Sequence, residues 1–436
     1  MFSRKDIIIL GMMIFALFLG AGNIIFPPME GFSSGQHWAS ASLGFVLTGV
    51  LMPFITLVVV AILGRGEELT KDLPKWAGTG FLVILYLTIG STFAMPRITN
   101  VAYEMAWLPL GLTENNANVR FVFSLIFNLI AMGFMISPNT IISSVGKFMT
   151  PALLVLLIAV AITVFISPLS EIQVPSNAYE NSHSLLIGLT SGYQTMDVLA
   201  AIAFGGIVAR ALSAKNVTKT KDIVKYTISA GFVSVILLAS LYFSLFYLGA
   251  TSAAVAEGAT NGGQIFSRYV NVLFGSAGTW IMAGIIVLAS LTTLVGVTSA
   301  SADYFSKFSV RFSYPFWAAL FTAMTITVSQ YGLTDLLRIT IPALLLIYPV
   351  AIVLVLLQFL RKKLPSIKFT YNSTLLVTVC FSLCDSLNNV KMLPESINSL
   401  LKHFPLSSEG MAWLVPTLVM LVASIFIGKA LHKTHS

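Results

Sequence analysis

Apolar residues along this chain come in long unbroken runs, not in alternation. Ile7 to Met29 contains no charged residue, and neither do Trp38 to Gly64, Phe121 to Gly146, Phe148 to Ser170, Tyr226 to Ala256, Tyr269 to Ala302 or Phe312 to Thr334. A helix needs roughly 20 such residues to cross a bilayer. A spanning strand would read as about 10 residues alternating apolar with polar. The pattern therefore predicts an all-α polytopic membrane protein. We read twelve spans, numbered as helices 1 to 12: Ile7–Phe32, Trp38–Leu63, Gly78–Trp107, Phe121–Ser137, Phe148–Pro168, Leu185–Ala209, Ile223–Leu248, Ala277–Phe305, Phe312–Gln330, Leu336–Phe359, Tyr371–Asn388 and Met411–Gly428.

Charge tests that count. With the N-terminus in the cytoplasm, nineteen of the 25 Lys and Arg fall on the cytoplasmic side, among them Arg4, Lys5, Arg65, Lys147, the Arg210 to Lys225 group and the Arg361 to Lys368 group. Arg120, Arg268, Arg338, Lys391 and Lys402 fall outside, and Arg97 lies within helix 3. A missed or invented span would invert every later loop and destroy this asymmetry. The chain is thus expected to be a multi-pass membrane protein with both termini in the cytoplasm. The bias accounts for the net charge of +8 without any nucleic-acid partner.

Composition agrees. Of 436 residues, 56% are hydrophobic and 10% charged, against about 45–50% and 25% in ordinary globular proteins. Soluble, disordered, fibrous and disulfide-scaffold classes are excluded. The first run is too long for a signal-peptide core and lacks a cleavage site, so it is expected to be retained. Cys380 and Cys384 read as reduced packing residues, and the five histidines are too scattered for a metal centre. The longest outside connections, near Ser170–Ser184, Thr251–Ser276 and Asn389–Gly410, read as short polar loops. Any function must then lie within the bundle.

Two spans are interrupted. Helix 1 contains Gly20-Ala21-Gly22-Asn23, then Pro27-Pro28, and helix 6 contains Thr190-Ser191-Gly192-Tyr193-Gln194-Thr195. Glycine costs about 1 kcal/mol in a helix interior relative to alanine. Irregular backbone at membrane depth survives only when it is buried in protein or lines a cavity. Either cluster alone also reads as a close-packing motif. Together they occupy matching places about 170 residues apart. Five helices per unit is odd, so the second unit must enter from the opposite side, which gives an inverted repeat of helices 1–5 and 6–10 with helices 11 and 12 accessory. The corresponding divisions are residues 1–170, 171–365 and 366–436.

The segments FALFLGAGNIIFPP (Phe15 to Pro28), GYQTMDVLAAIAFG (Gly192 to Gly205) and LASLTTLVGVTSASADYF (Leu288 to Phe305) together resemble the bacterial branched-chain amino acid transport system II carrier family, and the resemblance runs over essentially the whole chain. It implies cation-coupled import of leucine, isoleucine and valine across a bacterial cytoplasmic membrane. The family in turn looks related to sodium-coupled transporters with a five-helix inverted repeat. A carrier for another small amino acid or a nucleobase is the nearest alternative. A membrane enzyme would need a nucleophile, paired carboxylates or a metal cluster at one depth, and none is visible. A passive channel would not need two unwound helices.

A zwitterionic substrate requires partners for a carboxylate, an ammonium and a side chain. The free N–H groups of the second half-helix at Ala21, Gly22 and Asn23 can hold a carboxylate without any arginine. The bare Gly22 leaves it room. Carbonyls at the ends of the first half-helices, with the Ser191 or Thr195 hydroxyl and the Gly192-Tyr193-Gln194 turn, suit the ammonium. Leu85, Ile89 and Val198 are expected in an apolar wall. For a coupling sodium ion, the wider analogy pairs Thr292 and Thr293 of helix 8 with the carbonyls of Ala16 and Leu19. The alternative is that these threonines bond back to their own helix. No other cofactor is expected; a proton is the other coupling ion. Asp197 is the ionisable candidate for coupling or for bracing the break. Arg97 and Glu104, seven apart, read as a structural or gating ion network. Asp385 reads as peripheral, and Asp303 as a partner of Lys307.

Overall fold

The computed structural model describes residues 3–135, 150–180, 183–309 and 311–434. Most of its described residues are helical, none is in a strand, and helical segments stand at all twelve expected positions. The end of helix 4 beyond Met135, the start of helix 5 before Thr150, and Lys147 lie outside the described residues.

Helix 1 is two helices, 1a (Arg4–Phe18) and 1b (Ala21–Ser34). Helix 6 is likewise two, 6a (Ser184–Ser191) and 6b (Asp197–Ser213), joined by a 3-10 turn over Gly192–Thr195 and bent by 47°. Helix 3 changes its winding twice. An α segment (Lys75–Leu87) runs into a π turn (Thr88–Thr92), then a second α segment (Ala94–Ala102) and a second π turn (Tyr103–Trp107). Gly90, with φ −85° and ψ −134°, marks the kink. Helix 8 (Ser276–Phe308) is the most deeply enclosed of the long spans.

Packing obeys the repeat. Helix 1 lies along helix 7 (Thr220–Ala250) over both its halves, and helix 6 lies along helix 2 (Trp38–Leu63) over both of its halves. Helix 5 touches helices 1, 7 and 8, while helix 10 touches helices 6, 2 and 3. Helix 4 touches helices 3, 8 and 9, while helix 9 touches helices 8, 3 and 4. Exchanging each helix with its counterpart five places along turns one set of neighbours into the other. Helix 11 (Ile367–Asn389) packs on helix 10, and helix 12 (Leu414–Thr434) on helix 11, outside this pattern.

The reason for the two tight pairs is in the sequence. Gly31 of helix 1b faces the backbone of Phe246 on helix 7, and Gly249 of helix 7 faces Pro28 on helix 1b. In the other half, Gly44 of helix 2 faces Leu185 on helix 6a, and Gly188 of helix 6a faces Ala41 on helix 2. A Cβ at any of the four would strike a backbone atom, so these helices approach as they do only because the residues are glycine.

The connection between helices 7 and 8 departs from the expected polar loop. It contains a helix, Gly262–Phe274, whose Ile265, Phe266, Tyr269 and Val270 are fully buried against helices 1b and 8. The 5–6 connection is also tied down: the Ser176 N–H donates to Ser33 O at 2.9 Å, and the Tyr179 hydroxyl bonds to Glu30.

Candidate functional site

The two breaks meet at the centre of the bundle. Helix 1a ends at Phe18, Leu19 turns away with ψ 78°, and Gly20 is extended at φ −82° and ψ 161°. No side chain caps helix 1b. Its first amides are therefore left to whatever occupies the space in front of them. At the other break Met196 takes a left-handed conformation, φ 63°, and Asp197 begins helix 6b. A carboxylate in the first turn of a helix is favoured by the positive end of the helix dipole.

Asn23 ties the breaks together. Its side-chain Nδ2 donates to Asp197 Oδ2 at 2.7 Å and to the Tyr242 hydroxyl of helix 7 at 2.7 Å. Thr195 Oγ1 donates to Gly192 O at 2.9 Å and accepts from the Asp197 N–H at 3.3 Å. Tyr348 of helix 10 stacks on Tyr193 with ring centroids 4.6 Å apart. Its hydroxyl accepts from the Val198 N–H at 3.3 Å and donates to Thr48 O in the helix 2 π turn at 3.0 Å.

Arg97 is the residue that sequence reasoning left out of the site. All nine residues of Ala94–Ala102 are buried, so the kink at Gly90 carries the guanidinium into the centre. Arg97 Nη1 donates to Gln194 O at 2.8 Å, and the guanidinium lies over the Phe26 ring at 5.3 Å. Nε has no hydrogen-bond partner. A Cβ on Gly22 would stand 2.6 Å from Nη2. The room expected at Gly22 for a carboxylate is thus faced by an arginine, where none was anticipated. Nor does Arg97 join Glu104. The α winding ends at Ala102, and Glu104, in the π turn, accepts from the Leu333 N–H at 3.3 Å. The one usable signal was the ionisable residue itself, at membrane depth.

Leu17, Phe18, Gly22, Asn23, Ile89, Arg97, Ile98, Thr195, Asp197, Ala200, Thr293 and Val297 are among the residues lining one central pocket. Its free volume is about 20 Å³, room for about one water. Arg97 and Asp197 are each 3% exposed, and apolar side chains complete the wall. Ile89 is there as expected, whereas Leu85 and Val198 are buried elsewhere in the core. Ala21 supplies backbone at the start of helix 1b. Ser191, Tyr193 and Gln194 line a different cavity, between helices 6a, 10 and 11. Gly192 is a packing position, where a Cβ would meet Thr48 Oγ1 and Phe45 O on helix 2.

The expected cation ligands come together in part. Thr292 Oγ1 lies 3.3 Å from Ala16 O and also bonds back to Ala289 O at 3.0 Å. The Thr293 hydroxyl is buried and has no partner, so it does not bond to its own helix. It faces Gly20, whose Cβ would lie 3.4 Å away. Leu19 is fully buried at the end of helix 1a. Asp303 pairs with Lys307 at 2.7 Å, as expected, and with Arg210 at 3.2 Å. Asp385 lies outside the central pocket and is 3% exposed, beside the start of helix 12.

A family model described as branched-chain amino acid transport protein matches residues 3–431. The chain belongs to this family. Its members are transporters, not enzymes. The chain is 99% identical over 436 residues to the branched-chain amino acid permease BrnQ of Haemophilus influenzae, covering 100% of each. It is 36% identical to the branched-chain amino acid transport system 3 carrier protein of Pseudomonas aeruginosa, covering 98% of this chain and 97% of that one. Among solved structures it resembles Mhp1, a nucleobase-cation-symport-1 family transporter in a closed conformation with bromovinylhydantoin bound. The TM-score is 0.63 at 14% identity, over 98% of this chain and 93% of that chain. At that identity the likeness concerns the fold, the inverted-repeat architecture already evident in the packing of helices 1 to 10.

Proposed function

We propose that this carrier imports leucine, isoleucine and valine by symport with sodium, through alternating access around the central pocket. The observation that carries the reading is a pair of buried opposite charges, Arg97 and Asp197, lining one apolar pocket. A buried charge without a full set of partners is costly. A zwitterion serves both at once, its carboxylate on Arg97 and the amides of helix 1b, its ammonium on Asp197. Ile89, Ile98, Ala200 and Val297 then receive an aliphatic side chain. Such a wall separates neighbouring aliphatic substrates weakly, since one methylene is worth about 1–3 kcal/mol.

The relatives' names support the substrate class. Sodium is supported by the Thr292 hydroxyl against Ala16 O and by the unpartnered Thr293 hydroxyl at the same break. The pocket is shut to about one water, so a substrate enters only when helix halves move. We place both termini in the cytoplasm, from the lysine and arginine bias.

The test is radiolabelled leucine uptake into proteoliposomes with sodium and pH gradients imposed separately. A sodium gradient alone is expected to drive accumulation, and a pH gradient alone is not. The opposite result would assign coupling to protons and to Asp197, the carboxylate held by Asn23. Lysine or glutamate uptake as fast as isoleucine would overturn the substrate assignment.

A further inference from the structure

A cavity of about 390 Å³ opens at the end of the bundle where helices 2 and 8 finish and helix 3 starts, within the range of about 300–1,000 Å³ typical of ligand pockets. Arg65, Lys71 and Lys75 line it from the helix 2–3 connection and the start of helix 3, and Lys307 lines it from the end of helix 8. Glu67 is the one carboxylate among its described lining residues. The other carboxylates nearby are shared. Glu68 lies 3.4 Å from Arg65 Nη2 and 3.5 Å from Lys71 Nζ, and Asp303 divides itself between Lys307 and Arg210. Asp72 is taken by Arg361 at 2.7 Å. Lys75 pairs with no carboxylate among the described residues. Arg65, Lys71, Lys75, Arg210 and Lys307 thus meet only Glu67, Glu68 and Asp303, which leaves two positive charges uncompensated. The four lining cations are all partly exposed. Exposed pairs of this kind hold weakly, so the side chains can turn to a better anion. The rim of the cavity is aromatic. Trp76, next to Lys75, is 81% exposed, and Phe308, next to Lys307, is 56% exposed. Tryptophan gathers at the membrane–water interface, which puts the cavity at the level of lipid headgroups.

We propose that this cavity binds a phosphate group, supplied by an anionic phospholipid whose headgroup sits among Arg65, Lys71, Lys75 and Lys307 while its acyl chains pass Trp76 and Phe308. Arginine and lysine meet phosphate oxygens with charge-assisted hydrogen bonds. Arg65 and Lys71 follow helix 2, the packing partner of helix 6, whereas Lys307 ends helix 8, which packs with helices 3, 4 and 9. One phosphate held from both sides joins these two groups of helices at this end of the bundle. The cavity shares no lining residue with the central pocket. The site therefore stands or falls independently of the transport reading above.

The experiment is equilibrium binding of radiolabelled phosphatidylglycerol in mixed micelles to the purified full-length carrier, with phosphatidylcholine and inorganic phosphate as competitors. Wild type is compared with Lys75→Gln and with the double change Arg65→Gln and Lys75→Gln. Wild type is expected to hold one saturable phosphatidylglycerol that phosphatidylcholine does not displace. Each cation removed is expected to weaken it roughly fivefold, so the double variant by roughly 25-fold. Lys75 has no carboxylate partner, so its replacement strands no charge. If the double variant does not remain monodisperse, Thr79→Glu gives the answer, since it sets a carboxylate at an exposed position on the cavity wall and is expected to weaken the lipid at least as much. Equal affinity in wild type and the variants, or displacement by phosphatidylcholine as readily as by phosphatidylglycerol, would overturn the proposal. Displacement of the label by inorganic phosphate at millimolar concentration would overturn the lipid as the source and assign the cavity to a soluble phosphate.

Discussion

The helix 1 and helix 6 breaks hold the same place in the two repeats, and they are built from opposite materials. At helix 1 the chain opens at Leu19-Gly20 with no side-chain cap, and Gly22 presents bare backbone. At helix 6 side chains use up the opened backbone: Thr195 bonds to Gly192 O and the Asp197 N–H, and Arg97 takes Gln194 O. One break offers partial charges on the backbone, the other a full charge on Asp197. An inverted repeat thus fixes where a site forms, while local sequence decides which half supplies which chemistry. Asn23, bonded to Asp197 at 2.7 Å, makes the two halves one unit.

Filling the bare side of the comparison should have the largest effect. Gly22→Leu places a branched side chain where a Cβ alone would already be 2.6 Å from Arg97 Nη2. The variant is expected to fold and to show no leucine-induced thermal stabilisation. Wild-type stabilisation would remove Gly22 from the site.

Removing the charge that faces Gly22 comes next. Arg97→Ala strips Gln194 O of its donor and leaves Asp197 buried without a nearby opposite charge. Truncating one side of a buried, hydrogen-bonded charge contact typically costs about 2–5 kcal/mol of binding, so leucine affinity is expected to fall by roughly 30- to 5,000-fold. Titration calorimetry on the purified variant measures it.

A smaller change sharpens the helix 1 side. The double change Thr292→Ala and Thr293→Ala removes two hydroxyls beside the Ala16 carbonyl and Gly20. The sodium concentration for half-maximal uptake is expected to rise roughly tenfold, about 1.4 kcal/mol, with maximal uptake partly retained through the carbonyls. An unchanged sodium curve would show that neither hydroxyl is a sodium ligand.

The smallest effect is at the other end of helix 1a, which starts capped as firmly as it ends uncapped. Ser3 and Asp6 form a capping box, and the Ser3 hydroxyl and N–H hold the Asp6 carboxyl down at about 2. A carboxyl lowered in the folded state stabilises it above its ordinary value of 3.8 and loses that contribution as pH falls toward 2. Asp6→Asn is therefore expected to lower the melting temperature slightly at pH 7 and to converge with wild type near pH 2. A difference constant with pH would contradict the assignment.

Much of this was legible in the sequence because its signals are local. Charge-free runs and the lysine and arginine bias locate spans one at a time, and glycine, asparagine and threonine mark the breaks. What was missed depends on neighbours distant in the chain. Arg97 reaches the site because a π turn kinks helix 3 at Gly90, and its partners are 97 residues away at Gln194 and on helix 1b at Gly22. Asp385 is buried by helix 12, whose start at Ala412 and Trp413 folds over it. The helix Gly262–Phe274 went unread because it is short and sits in a connection between spans, although Ile265, Phe266, Tyr269 and Val270 recur at helical spacing on one face.

The central claim is that Arg97 and Asp197 together recognise a zwitterion. The most direct test is binding of leucine to the wild-type carrier against two analogues of the same skeleton, 3-methylbutylamine without the carboxylate and 4-methylpentanoate without the ammonium. Leucine is expected to bind, and neither analogue is expected to bind measurably at a hundredfold higher concentration. Binding of either analogue as tightly as leucine would contradict it.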